Sequence, residues 1–290
     1  MRKLALLGLI SMAMVFFAGC TLPAPPAGGV MQEEFYGAYT VPPGASLQVS
    51  NINGDVSITG SPNQTMVVHA VKSSFYGQTE LDKVTIEVQN GSEAKVATKV
   101  PPAGARVTVR YEILVPGSVL VENVNTTNGD IGMKGVSGNA VVGTTNGNLD
   151  LSDLAGTVSA TCTNGNIIIH YVGNITGLHT TNGQVNGTLE GVIGNPAMIS
   201  TSNGAITLVL SRDLFSSLSV SASNGPVAIT VPDIFNANVD LSTTNGQILL
   251  EGVTMSEVSG TARHQSGVLG NGGPGLAVTT TNGNIILVGA

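Results

Sequence analysis

The chain has 290 residues, a formal net charge of −7, only 10% charged residues, 38 glycines and no tryptophan. That balance excludes a nucleic-acid surface built on basic runs and works against charge-driven binding to anionic lipid headgroups. The two cysteines, Cys20 and Cys162, are too few for a disulfide framework.

Arg2 and Lys3 precede an uncharged apolar stretch, Leu4 to Phe17, that is too short to favour a membrane-spanning helix. It ends in "FAGC", with small Ala18 and Gly19 before Cys20, which resembles a bacterial lipoprotein signal. The expectation is a signal peptide over 1–19 and a lipid on Cys20, which makes the membrane a partner and the cell envelope the address. Lipidation of Cys20 leaves Cys162 with no intrachain partner. Residues 20–43 continue beyond Cys20 with "TLPAPPAGG", an extended proline-rich tether expected to pack against nothing.

Residues 44–124 read as a looser β region. "LQVSNINGDVSITG" from Leu47 looks like a first coil with its turn at Asn53-Gly54. "VTIEVQNGSEAKVATKV" from Val84 reads as a hairpin across Asn90-Gly91. Lys72, Lys83, Lys95, Lys99, Arg106 and Arg110 fall in this region, interleaved with apolar residues, as on one solvated strand face.

From residue 125 to 290 the chain keeps a beat. Asn-Gly steps fall at Asn128, Asn146, Asn164, Asn182, Asn203, Asn224, Asn245 and Asn282. Their spacing of 18 to 21 residues marks a solenoid, and the final gap of 37 divides if Ser266-Gly267 fills a step. Between steps the apolar residues alternate, as at Ile167/Ile169, Ile206/Leu208, Val227/Ile229, Ile248/Leu250 and Ile285/Leu287, which is a strand period. The predicted fold is all-β: a right-handed parallel β-helix with about 18–21 residues per coil and a hairpin-containing N-terminal part. Stacked asparagines would form an amide ladder, with Asn and Gly both taking left-handed backbone at the corner. Small hydroxyl residues before them would form a parallel row in which Cys162 replaces a threonine.

"YEILVPG", the serial "TTNG" steps and the closing "GNGGPGLAVTTTNGNIILVG" resemble the DUF4097 family of exported β-strand-repeat proteins, from about Gly44 to Ala290. The resemblance implies a β-helical rod and the label of adhesin, and it brings no catalytic motif.

The residues themselves assemble no reaction centre. Asp130, Asp150 and Asp153 lie on neighbouring coils but differ in repeat position, so a glycosidase pair is the weaker expectation for them. His69, His170, His179 and His264 have no partner at metal-ligand spacing, although His170 and His179 share a coil. No metal and no cofactor is implied. Arg263 and His264 interrupt a neutral surface and are the candidate ligand contacts, for an anionic glycan. The expectation is a non-enzymatic, envelope-anchored rod contacting a surface polymer, a cell or an envelope protein. A sensing or regulatory envelope partner is the alternative, and a polysaccharide-active enzyme stands third. The oligomeric state is left open.

Overall fold

Alternating apolar residues separated by glycine corners give strands that bury one face each, and stacking is how such short units cover that face. The structure, a computed structural model, describes residues 29–172, 174–190 and 196–290. The expected signal peptide and Cys20 lie outside the described residues.

Each coil is flattened and contributes one strand before its Asn-Gly corner and one after it. The strands before the corner belong to a 13-stranded sheet and those after it to a 12-stranded sheet, each sheet being extended at its ends by strands outside the coils. Parallel pairing is in register at the asparagines: Asn128 opposite Asn146, Asn146 opposite Asn164, Asn164 opposite Asn182. The core lies between the sheets. Ile131, Leu149, Ile167, Val185 and Ile206 stack from one side, and Val124, Val142, Ala160, Leu178 and Ile199 from the other, all buried. Each fully buried Leu or Ile contributes about 1.5–3 kcal/mol relative to exposure.

The C-terminal order departs from the expected succession of coils. Leu218–Asn224 pairs in parallel with Gly275–Asn282, and Gly275–Asn282 pairs in turn with Ala237–Thr243. The last coil in sequence is therefore inserted between the Asn224 and Asn245 coils. Ser266-Gly267 fills no step of the solenoid. It lies in the strand His264–Leu269, which runs antiparallel to Ala237–Thr243 and pairs with Ser256–Thr261 as an end hairpin. This explains why Ile285 and Leu287 are buried while Ile248 and Leu250 are half-buried: the Asn245 coil is the terminal one in space. The outer hairpin strand has a register shift between Ser256 and Ser259 and a left-handed Glu257, φ 52°. A bulge and a charge of this kind discourage edge-to-edge pairing.

At the other end, the Asn53 coil stacks on the Asn128 coil as expected, and Thr85–Gln89 with Glu93–Lys99 is the expected antiparallel hairpin. The tether expectation fails over its second half. Met31–Thr40 is a ten-residue strand, antiparallel to Thr65–Ser74 along its whole length. Phe35 and Tyr39 pack against the core, so the segment has an apolar face that its glutamates conceal in the sequence.

The basic residues also do not share one solvated face. Lys72 points inward after Met66, Val68 and Ala70, and its ammonium donates to the carbonyls of Leu81 and Val84 and pairs with Glu33 at 2.8 Å. Lys95 and Lys99 sit on one sheet and Arg110 on the other.

Candidate functional site

The corner is the most regular feature of the surface. The side-chain amide of each asparagine donates to the next: Asn128 to Asn53 and Asn146 to Asn128, both at 2.7 Å. Asn164 donates to Asn146 at 2.8 Å, Asn182 to Asn164 and Asn203 to Asn182 at 2.9 Å, and Asn224 to Asn203 at 3.0 Å. Asn282 then donates to Asn224 at 2.8 Å, and Asn245 to Asn282 at 2.9 Å. The ladder thus follows the spatial order of the coils and begins at Asn53, one rung before the regular repeat.

Asparagine and glycine have different tasks at this corner. No corner asparagine has a positive φ; several corner glycines do, as at Gly165, φ 154°. Close approach is the stronger constraint. A Cβ on Gly165 would lie 1.9 Å from the carbonyl oxygen of Gly147, and one on Gly183 at the same distance from that of Gly165. The inner threonines do not bond to one another in a row. Each Oγ1 donates to a corner glycine carbonyl on the neighbouring coil, Thr144 to Gly129 at 3.0 Å and Thr180 to Gly165 at 2.9 Å. Cys162 takes the same place, buried, with its Sγ 3.0 Å from the Gly147 oxygen. Burial pushes its thiol pKa up, away from the nucleophilic form. Ala222 holds the equivalent position opposite Thr201 and has no hydroxyl to offer.

Asp130 belongs to a second ladder. Its Oδ1 accepts the backbone N–H of Asn148 at 2.6 Å, and Asn148 and Asn166 continue the pattern toward Gln184. Asp150 faces outward in mid-strand between Gly132 and Ile168, and Asp153 sits at the far corner with φ 53°. The three carboxylates therefore occupy three different stations of the coil and do not converge. His170 and His179 are exposed on opposite sheets, His179 bonded to Ser200 at 2.8 Å. His69 lies between Glu34 and Glu112, at 4.0 and 3.5 Å. Among the described residues no group of three His, Cys, Asp or Glu side chains is placed to hold a metal.

Arg263 and His264 stand at the turn of the end hairpin rather than inside a coil. His264 is 3.6 Å from Asp240, and Arg263 is exposed. The structure brings this pair to the C-terminal rim, at the opposite end of the ladder from a groove beside Asn53.

That groove, about 470 Å³, opens at the Asn53 end. Asn53, Gly54, Tyr76, Arg106, Thr108 and Asn128 line it. A buried network holds its Gly54 in place: Asn51 donates to the carbonyls of Gly54 and Val109, Thr98 donates to Asn51, and Thr98 meets the Tyr111 hydroxyl at 2.7 Å. Burial pushes the Tyr111 phenol up to about 12. Sequence reasoning missed the groove because its residues come from four separate segments; the signal available was the Asn53-Gly54 step, which already placed Asn53 at the head of the solenoid.

These features define a flattened two-sheet β-solenoid with an amide-laddered corner. Residues 38–287 match the Toastrack DUF4097 family, and the chain belongs to it. Among solved structures it is similar to a putative adhesin from Parabacteroides merdae, with 11% identity, 91% of this chain and 97% of that chain covered, and a TM-score of 0.44. It is also similar to a putative adhesin from Bacteroides fragilis, with 11% identity, 89% and 97% covered, and a TM-score of 0.39. A putative cell adhesion protein from Clostridium sporogenes shares 11% identity over 89% of this chain and 100% of that chain, with a TM-score of 0.27. No curated protein matches the chain.

Proposed function

We propose that the protein is an exported, lipid-anchored, non-enzymatic contact protein of the cell envelope. The corner ridge carries this reading. Exposed Thr127, Thr145 and Thr163 stand beside the laddered amides, repeated at the coil spacing of about 4.8 Å. Such a row offers hydroxyl and amide groups in a fixed array, so little ordering entropy is lost when a long polar partner lies along it. Between Gly135 and Ala290 the only Lys or Arg residues are Arg212 and Arg263, which leaves hydrogen bonding rather than attraction to basic side chains as the means of contact along most of the rod. Adhesion is the role named for the three solved proteins above; for this chain it is proposed on its own ridge. The anchor is proposed from the sequence ending at Cys20. No helix among the described residues is long and apolar enough to cross a membrane.

The test uses cells expressing the full chain or its Cys20→Ser variant. The full chain is expected to take up an alkyne-palmitate label, stay with the membrane and confer binding of cells to isolated envelope polymer. The variant should be unlabelled and released. Cells that bind no better with the chain than without it would refute the contact role; an unlabelled full chain would refute the anchor.

A further inference from the structure

Every rung of the corner ladder points the same way, with each Nδ2 donating toward the Asn53 end. Asn224 sets that direction independently, because its Nδ2 also donates to the Ser202 carbonyl at 3.4 Å. Asn53 thus accepts from Asn128, and its own amide protons have no acceptor among the described residues. Hydrogen bonds in a chain polarise one another, so this terminal donor is stronger than a lone amide. It lines the groove.

Arg106 lines the groove as well. Its guanidinium lies over the Tyr76 ring, 4.5 Å from the centroid; among the described residues it makes no direct ion pair, although the charge of Glu80 is close enough to be felt. The neighbouring charges are already matched: Arg110 with Asp55 at 3.6 Å, and Glu80 with Lys83. The backbone of Arg106 is held on both sides. Its N–H donates to Glu80 at 2.8 Å, and its carbonyl accepts from the buried Ser74 hydroxyl at 2.8 Å. The same Ser74 oxygen accepts the Tyr76 N–H at 3.1 Å, so one side chain ties the cation to its aromatic platform. Tyr76 remains 60% exposed.

We infer that this groove binds a carboxylate carried on a sugar ring, as in a uronic-acid saccharide. The carboxylate takes the Arg106 guanidinium, a planar fork suited to it, together with the terminal amide of Asn53. The sugar ring lies against the exposed side of Tyr76. The chain of sugars continues over Asn128 and along the hydroxyl and amide ridge. A saccharide fits this track better than an acidic peptide, because the ridge offers side-chain hydroxyls and amides rather than a free strand edge. The inference rests on the contact role proposed above and names the class of polymer.

Full chain in detergent micelles is titrated with oligogalacturonate, its methyl ester and oligoglutamate. The variants are Arg106→Met, Asn53→Asp and, as a remote control, Lys95→Met. Asn53→Asp keeps an acceptor for Asn128 while replacing the donor with a negative charge, and urea unfolding checks that each variant is folded. Oligogalacturonate binding should weaken at least about tenfold in Arg106→Met and Asn53→Asp and be unchanged in Lys95→Met; the ester and oligoglutamate should bind at least about tenfold more weakly. Equal binding of the ester or of oligoglutamate, no binding of the acid form, or wild-type affinity in Arg106→Met would overturn the site. Cells that adhere through the chain while oligogalacturonate fails to bind would overturn the site and leave the contact role standing. Groove binding by a chain that is sheltered inside intact cells would support the site and remove the surface role.

Discussion

The middle of the rod and its two ends are held by different means. Among the described residues, every ion pair lies either between Glu33 and Glu112 or at Asp240–His264. The coils between them use none. There, each coil meets its own likeness above and below, so amide meets amide and hydroxyl meets glycine carbonyl without any charge being buried. An end has no such neighbour. It needs a hairpin, an inward lysine or a bulge to finish the sheets, and those devices cannot repeat. Repetition supplies stability, whereas individuality, and with it a chemically distinct groove, belongs to the ends.

That contrast can be broken from several directions. The largest effect is expected at a middle corner. Gly165→Ala places a Cβ 1.9 Å from a backbone oxygen that the stacked coils hold in place, and should cost at least about 3 kcal/mol in urea unfolding. Gly104→Ala, where φ is 78° but the space is open, should cost only about 1 kcal/mol. Next comes the N-terminal end. Lys72→Met leaves the Val84 carbonyl without its lysine donor, leaves the Leu81 carbonyl only the Val84 N–H, and strands the Glu33 carboxylate; it should cost about 2–3 kcal/mol, with hydrogen exchange accelerated first in Met31–Thr40. Smaller again is the ladder. Asn164→Ala removes two rungs and should cost about 1 kcal/mol, whereas Asn245→Ala removes one and should cost about half that. Equal losses at the two positions would mean the rungs are not the source. The smallest change should be a gain: Ala222→Thr restores a hydroxyl facing the Gly204 carbonyl and should add about 0.5–1 kcal/mol.

The repeat was legible because its chemistry is local. A coil corner needs a glycine where the next carbonyl approaches, and an asparagine beside it, in every coil; Cys162 could be read as a ladder member from its offset alone. The inserted last coil was hidden. Alternation says that a segment is a strand, but it does not say whether the neighbour runs parallel or antiparallel, and "HQSGVL" alternates as well in a hairpin as in a coil. Met31–Thr40 was hidden by its glutamates: Glu34 lies on the face away from the core, and Glu33, on the same face as Phe35 and Tyr39, is accommodated there by its pairing with the inward Lys72. The groove was hidden because Asn53, Tyr76, Arg106 and Asn128 meet only after the Asn53 coil has stacked on a coil that follows it by 75 residues. Arg263 and His264 stood out as charge in a neutral stretch, yet they mark the turn of an end hairpin, where polar residues are expected.

A surface contact role depends most on where the rod stands. The direct measurement is protease treatment of intact cells carrying the full, Cys20-containing chain, with lysed cells as the reference. Cleavage without lysis is the predicted result and would put the ridge and groove in contact with the outside. Protection until the cells are broken would contradict a surface contact role and turn the search toward a partner within the envelope.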